Sequence, residues 1–345
     1  MKIMHVLLSR GFAGSERSTA ESCNQQCLEH DVCLVIRRDH RRRGASIRDH
    51  LDARVQVIEV APKLLTQWQL WRAVTRFDAD VIHCHLRRST RLVARIKPQA
   101  ATVSTLHIEV NGPHFLHMDG LVCNAHWQLQ QIPTEYQGQT FKANNSLVPH
   151  RRLDLQESSA LRESLGMKVD DLLIGAIGRY HESKGWDVLI RAFQQLDKPA
   201  NVKLVFFGSG SQEAKLKELA GDDAQIQFFP FRDDIKDIYQ CLDLCVCPSR
   251  FDPLPRVILE AMDAGTPVIA SDIGGCKELI EDYGGDLFEM DNVAALAHLL
   301  ADRITTRPER HRPDLTAHYL ANTNAAMTGF YRELVALKFG VPAIA

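Results

Sequence analysis

The stretch that decides the fold is Cys247-Pro248-Ser249-Arg250-Phe251-Asp252-Pro253-Leu254-Pro255-Arg256-Val257-Ile258-Leu259-Glu260-Ala261-Met262-Asp263-Ala264-Gly265-Thr266-Pro267-Val268. An apolar strand runs out at Pro248, a loop carries Asp252, a helix spans Arg256 to Ala264, and a new strand opens at Pro267. Strand, loop, helix and strand in that order make one parallel βαβ unit. Within the helix, Glu260 stands among Val257, Ile258, Leu259 and Met262. An acid on an apolar face needs a reason, because an unpaired buried charge is costly. When ionised it accepts hydrogen bonds at two oxygens and so suits the paired hydroxyls of a ribose. The backbone of Leu254, Pro255, Arg256 and Val257, where loop becomes helix N-terminus, turns the positive end of the helix dipole toward sugar hydroxyls or phosphate. Asp252 would reach the other end of the same ligand. An N-capping Asp and a structural Glu fit the same spacing equally well until the rest of the chain is read.

Upstream, Ile174-Gly175-Ala176-Ile177-Gly178-Arg179-Tyr180-His181-Glu182-Ser183-Lys184-Gly185-Trp186 is again a strand, a short loop and a helix start. Gly178 permits a tight exit from the strand. Arg179 offers a planar fork of donors and Lys184 a movable point charge, at a place suited to a diphosphate. Two surface cations beside a turn would give the same pattern. Around these two stretches, strands at Leu172–Ile177, Val202–Phe207, Ile226–Phe229, Leu244–Cys247 and Pro267–Ala270 alternate with helical segments. The front of the chain repeats the alternation, with strands at Ile3–Leu8, Cys33–Ile36, Val55–Val60, Val81–Cys84 and Thr102–Leu106, and helices at Ala20–Leu28 and Leu64–Phe77. Two βαβ series in 345 residues imply two α/β domains with open parallel sheets. The expected division is 1–150, 151–318, and a final helical segment, 319–345, packing back on the first domain. Ligands of such sheets sit beyond the carboxyl ends of the strands, so a cleft between facing sheets is the expected site.

With these motifs quoted, the chain resembles the retaining nucleotide-sugar glycosyltransferases of family 4, which adopt the GT-B fold of two Rossmann-like domains with parallel sheets facing across a cleft. Gly178-Arg179 with Lys184-Gly185 matches the family's GR…KG diphosphate motif, and Phe207-Gly208-Ser209-Gly210 its glycine turn. Asp252 and Glu260 match its paired acids, Glu260-Ala261-Met262 through Gly265-Thr266-Pro267-Val268 its EAM…GxPV segment, and Gly274-Gly275-Cys276-Lys277-Glu278-Leu279 its GG…E loop. In the front half, Gly14 and Glu16 match a GGxE loop near donor and acceptor, with Ala13 at the first glycine. His107, after Thr105-Leu106, matches a strand-end histidine that contacts the transferred sugar. Two positions depart from the pattern: Asp252 replaces the usual Glu, and Leu254-Pro255 the usual Phe-Gly. Both bear on which donor is read.

The resemblance implies transfer of a hexose from an NDP-sugar, UDP- favoured over GDP-, to a hydroxyl of a glycan or lipid-linked acceptor, with retention and with no metal and no cofactor. It assigns Arg179, Lys184, His107 and Asp252 to catalysis, and Gly178, Gly208, Leu254, Pro255, Arg256, Val257 and Glu260 to the donor. A nicotinamide dehydrogenase would use Gly208-Ser209-Gly210, but position 213 is Glu where G-x-G-x-x-G needs its third glycine. A GT-B-fold epimerase, which needs no acceptor, and a non-catalytic sugar- or membrane-binding module are the remaining alternatives.

Composition narrows the setting. With 45% hydrophobic and 24% charged residues, the chain is globular, and no apolar run approaches the roughly 20 residues that span a bilayer. Met1–Arg10 reads as a buried strand, its apolar run being too short for a leader. Nine cysteines without repeated spacing suggest a reducing cytoplasm. His83-Cys84-His85 reads as strand residues more readily than as metal ligands, since His83 and His85 share one face and Cys84 takes the other. Trp68 and Trp71, at helical spacing with Leu64, Leu65 and Phe77, read as core-facing. The formal charge of −2 hides an asymmetry: residues 1–150 hold 19 Lys+Arg against 13 Asp+Glu. Arg41, Arg42 and Arg43, in the basic run that starts at Arg37, are the candidate acceptor-side cations beside Gly14 and Glu16. They suggest an anionic acceptor in envelope polysaccharide or lipopolysaccharide assembly, with peripheral contact at the inner face of a membrane and no nucleic-acid partner.

Overall fold

In the computed structural model, which describes residues 1–42, 44–63, 65–307 and 309–340, β1 (Lys2–Leu7) leads into α1 (Gly14–Gln26), β2 (Asp31–Arg37), β3 (Gln56–Val60) and α2 (Leu65–Phe77). There follow β4 (Val81–His85), α3 (Leu86–Ile96), β5 (Ala101–Leu106), β6 (Gly120–Cys123), α4 (His126–Gln130) and β7 (Gln139–Lys142). The seven strands form one parallel sheet in the order β3-β2-β1-β4-β5-β6-β7. Covered on both faces, its central strands are buried throughout, Lys2 apart, and apolar except for His5, His83, His85 and the hydroxyl residues of β5, whose polar atoms therefore need partners inside the fold. Met4, Val6, Ile82 and Cys84 pack under α2 and α3 through Leu70, Ala73, Leu92 and Val93. On the other face, Ile3, Val81 and Val103 pack against Phe330, Tyr331 and Leu334 of the last helix, Leu320–Phe339. That helix belongs to this first unit, which comprises residues 1–146 and the chain from Ala317.

The second unit, Leu147–Thr316, opens with α5 (Leu155–Ser164). Asp154 caps it reciprocally with Glu157: the Glu157 N–H donates to Asp154 Oδ1 at 2.8 Å, and the Asp154 N–H to Glu157 Oε2 at 3.0 Å. Then come β8 (Leu172–Ile177), α6 (Trp186–Gln194), β9 (Val202–Phe207), α7 (Glu213–Ala220), β10 (Ile226–Phe229) and α8 (Ile235–Cys241). The unit ends with β11 (Leu244–Cys247), α9 (Arg256–Ala264), β12 (Val268–Ser271), α10 (Gly274–Tyr283), β13 (Asp286–Phe288) and α11 (Val293–Thr306). Its six parallel strands run β10-β9-β8-β11-β12-β13. Strand order therefore reverses between β8 and β11, whose carboxyl ends splay apart and leave a crevice. In the first sheet the reversal lies between β1 and β4.

The expectation of core-facing tryptophans is corrected. Leu70, Ala73 and Val74 form the buried stripe of α2, whereas Trp68 and Trp71 are 51% and 50% exposed and Leu65 is exposed with them. Leu64, also read as helical, lies outside the described residues. Within the described residues no helix is long and apolar enough to cross a membrane. All nine cysteines are unpaired and buried.

Candidate active site

The crevice of the second sheet collects the residues that the motifs single out. Gly178 and Arg179 leave the end of β8, Lys184 ends a one-turn 3-10 helix before α6, and Asp252 sits in the loop between β11 and α9. The Lys184 ammonium is paired with the Asp252 carboxylate, although 68 residues separate them. Burial alone would lower the Lys184 pKa; the Asp252 charge and hydrogen bond outweigh it and the net shift is upward, so the side chain is cationic at neutral pH. Arg179 is exposed, its carbonyl accepting from the Trp186 indole N–H at 2.9 Å. Its guanidinium makes no ion pair with any described residue.

Two glycines make this geometry possible. At Gly208, which follows β9, a Cβ would lie 2.0 Å from the Gly178 carbonyl oxygen, so the two loops touch backbone to backbone. Gly185 has φ +66°, and a Cβ there would lie 1.9 Å from the Pro248 carbonyl oxygen. This approach joins the lysine loop to the Asp252 loop. The substitution Gly185→Ala is expected to strain the backbone by about 1–3 kcal/mol and force the loops apart. A lowered melting temperature together with weaker nucleotide binding would show it; an unchanged melting curve would contradict the close approach.

Glu260 is buried on α9, with its Oε1 4.0 Å from Arg256 Nη2 and its charge close to Tyr239. Burial, then that charge, drives the Tyr239 phenol well above its ordinary pKa, so it stays a neutral donor. Leu254 and Pro255 are buried, Pro255 occupies the cap position of α9, and Arg256 and Val257 begin the helix. A proline at the cap leaves no side-chain oxygen to bond the first-turn N–H groups, which suits an exogenous acceptor.

Sequence reading missed Arg250. Its guanidinium makes two parallel bonds to Asp187 at 2.8 Å each, one to Asp291 at 2.6 Å, and one to the Glu182 carbonyl at 2.9 Å. Its own N–H donates to the Ser183 carbonyl at 2.8 Å. A planar fork of this kind fixes orientation as well as charge, and here it locks the Asp252 loop to the segment that carries Lys184. Its place two residues before Asp252 was the available signal. Cys247 and Cys276, both buried, share a hydrogen bond close to Lys184; it holds the Cys247 thiol below its ordinary pKa and the Cys276 thiol above.

In the first unit, Gly14 begins α1 and Glu16 bonds the start of that helix: its Oε2 accepts from the Ala13 N–H at 3.0 Å and the Ser15 hydroxyl at 2.9 Å. His107 follows β5 close enough to Glu16 for the carboxylate to act on its titration; burial dominates and pushes the imidazole down to about 4. Its Nε2 is buried without a hydrogen-bond partner among the described residues. Beneath it, His5, His83 and His85 bring ring nitrogens within 4.8 Å of one another. They are already engaged as hydrogen-bonding groups. Gln26 donates to Asn324 Oδ1 at 3.0 Å, so its Oε1 accepts from His5 Nε2 at 2.8 Å, and His5 Nδ1 then accepts from His85 Nε2 at 3.0 Å. His83 joins Thr105 at 2.7 Å and the Tyr331 hydroxyl. A metal would have to break these bonds, and the cluster is read as a neutral hydrogen-bonded network.

In the basic run at Arg37, part of the charge is matched locally. Arg37 is buried against Asp39, Arg41 is paired with Asp49, Arg48 with Glu59, and Arg54 with Asp52. Over residues 37–54 seven arginines face three acids, so the segment stays net positive despite these pairs. Arg42 is exposed, and Arg43 lies outside the described residues.

Residues 157–317 match the sequence model of the family described as Glycosyl transferases group 1. An uncharacterized glycosyltransferase of Methanocaldococcus jannaschii is 37% identical over 134 residues, 37% of this chain and 34% of its own, so the match spans about a third of that relative. A glycosyltransferase of Rickettsia africae superposes over 97% of this chain and 98% of its own, with TM-score 0.81 and 18% identity. HepE of Anabaena, solved in complex with UDP-glucose, covers 99% and 98%, with TM-score 0.75 and 20% identity. The two parallel-sheet units and these likenesses give the fold as GT-B. The family match thus falls on the second unit, where the motif residues lie about the crevice of the sheet, and it is this part of the chain that is similar to the group 1 glycosyltransferases.

Proposed function

We propose that the protein transfers a hexose from a nucleoside diphosphate sugar, UDP- favoured, to a hydroxyl of a glycan or lipid-linked acceptor, with retention at the anomeric carbon and without a metal ion. The observation that carries this reading is the Lys184–Asp252 pair, which ties the loop after β8, with Arg179 in it, to the loop that leads from β11 into α9, the helix that buries Glu260. Leaving diphosphate gathers negative charge as the bond from the anomeric carbon to the phosphate oxygen breaks. Lys184, Arg179 and the α9 N-terminus are fixed positive groups aimed at that charge, and preorganised groups of this kind often supply the largest catalytic contribution. Glu260 holds the ribose hydroxyls, Asp252 the sugar hydroxyls, and neutral His107 orients the transferred sugar. The bond from acceptor oxygen to the anomeric carbon forms on the face the leaving group vacates, and the acceptor proton passes to the departing phosphate. The UDP-glucose bound by HepE supports a uridine donor. A role in envelope polysaccharide or lipopolysaccharide assembly in the cytoplasm completes the proposal.

A thermal-shift panel of UDP-, GDP- and ADP-sugars tests the donor, because a ligand of the folded state raises apparent stability. The reading expects a UDP-sugar to give the largest shift, undiminished by a chelator, and the Glu260→Ala variant to lose at least tenfold in UDP affinity by calorimetry. Unchanged affinity in that variant would remove Glu260 from the site. Anomeric configuration of the product, followed by NMR, decides retention, and turnover without an acceptor would favour an epimerase.

A further inference from the structure

The outward face of α2 and its neighbour α3 differs from the rest of the first unit. The two helices pack side by side, with Gln67 Nε2 donating to the Leu92 carbonyl at 3.1 Å. Between them they hold Arg72, Arg76, Arg87, Arg88, Arg91 and Arg95 and not one Asp or Glu. Among the described residues none of the six has a carboxylate within ion-pair distance. Four arginines of the nearby β2–β3 segment behave oppositely, Arg37, Arg41, Arg48 and Arg54 each being matched to an acid. Leu65, Trp68 and Trp71 stand exposed on the same face of α2, and the Arg72 guanidinium lies 4.9 Å from the centre of the Trp68 ring. The half-exposed indoles and Leu65 leave apolar area in water, a cost that an apolar-edged partner would remove.

We infer that the α2–α3 face docks on an anionic lipid bilayer surface. Indole rings are enriched at the level of lipid headgroups, where one edge is apolar and the other wet. Arginines beside them meet phosphate oxygens, and the exposed Arg72, Arg76, Arg87, Arg91 and Arg95 complement the negative potential of an acidic leaflet, whereas Arg88 has its Nε buried and lies toward Arg10 and Arg37. Leu65 favours a bilayer over a nucleic acid, because an aliphatic side chain neither stacks on bases nor bonds phosphate. The inference stands on the surface alone and does not depend on the donor reading.

The test is flotation of the full-length protein with vesicles of phosphatidylcholine alone and with phosphatidylcholine vesicles that also contain phosphatidylglycerol, whose headgroup supplies a negative surface potential. Binding is expected only to the anionic vesicles, weakened by raising salt from 0.1 M to 0.5 M. A blue shift of tryptophan emission and quenching by brominated lipid should accompany it. Trp68→Ala with Trp71→Ala, and separately Arg87→Ala with Arg91→Ala and Arg95→Ala, should each weaken partitioning at least tenfold, while UDP-induced thermal shifts stay as in the parent. Absence of binding to the anionic vesicles, or binding untouched by both variants, overturns the inference. So would tighter binding to single-stranded RNA, or a concentration-dependent dimer, abolished by the same substitutions.

Discussion

Lys184→Ala is expected to lower kcat/KM by about 10²- to 10³-fold, the ~2.7–4 kcal/mol that follows removal of one preorganised charge donor. The pairing with Asp252 sharpens the expectation. Deleting the ammonium leaves the Asp252 carboxylate uncompensated where the diphosphate must arrive, so the single variant loses binding as well as transition-state stabilisation. Adding Asp252→Ala should therefore recover part of the UDP affinity, read by calorimetry, while turnover stays low because the sugar hydroxyls have lost their acceptor. Arg179→Ala should also lower kcat/KM, but without this rescue, since no carboxylate depends on Arg179. Near-normal turnover in Lys184→Ala with the fold intact would remove the lysine from the mechanism, and equal UDP affinity in the single and double variants would remove the pairing argument.

The residues that were legible in sequence are those whose chemistry conflicts with their surroundings. Glu260 among Val257, Ile258 and Met262, and two cations flanking a glycine exit at Gly178, are local contradictions that only a ligand or a buried partner resolves. The alternation of apolar strands and helices gave the two parallel sheets, because strands covered on both faces are dominated by apolar runs even where, as with His5 and His83, polar residues interrupt them. Contacts across the chain were less legible. No spacing rule links Lys184 to Asp252 or Arg250 to Asp187; the strand order that places β8 beside β11 creates both. Edge strands such as Gln139–Lys142, half-solvated and only four residues long, lack the apolar run that marks a central strand. The tryptophans of α2 misled for the opposite reason. Spacing places Trp68 and Trp71 together on one face, but it does not say that the narrower stripe of Leu70, Ala73 and Val74 is the one that meets the sheet.

Acid should unfold the first unit well before its carboxylates are protonated. His5, His83, His85 and His107 are held neutral, burial pushing His5 and His107 down to about 4 and His83 and His85 well below their ordinary range. In the unfolded chain each would take a proton near pH 6.5. A lowered folded pKa means that, as pH falls from about 6.5 toward 4, the unfolded state binds protons the folded state refuses. Stability is then fully present above pH 6.5 and declines below it, by up to about 1.4 kcal/mol per pH unit for each histidine. The network accounts for the refusal: His5 has one nitrogen donating to Gln26 and the other accepting from His85, so a second proton on either ring must break a bond and charge a site no solvent reaches. Urea unfolding at pH 7.5, 6.0 and 5.0, with hydrogen exchange of the β1, β4 and β5 amides reporting this unit, should show the decline. His5→Gln and His83→Gln should each be less stable than the parent at pH 7.5 yet lose less between pH 6.5 and 5, since the titrating group is gone. A decline of the same steepness in both variants would mean that the buried histidines are not the acid-sensitive element.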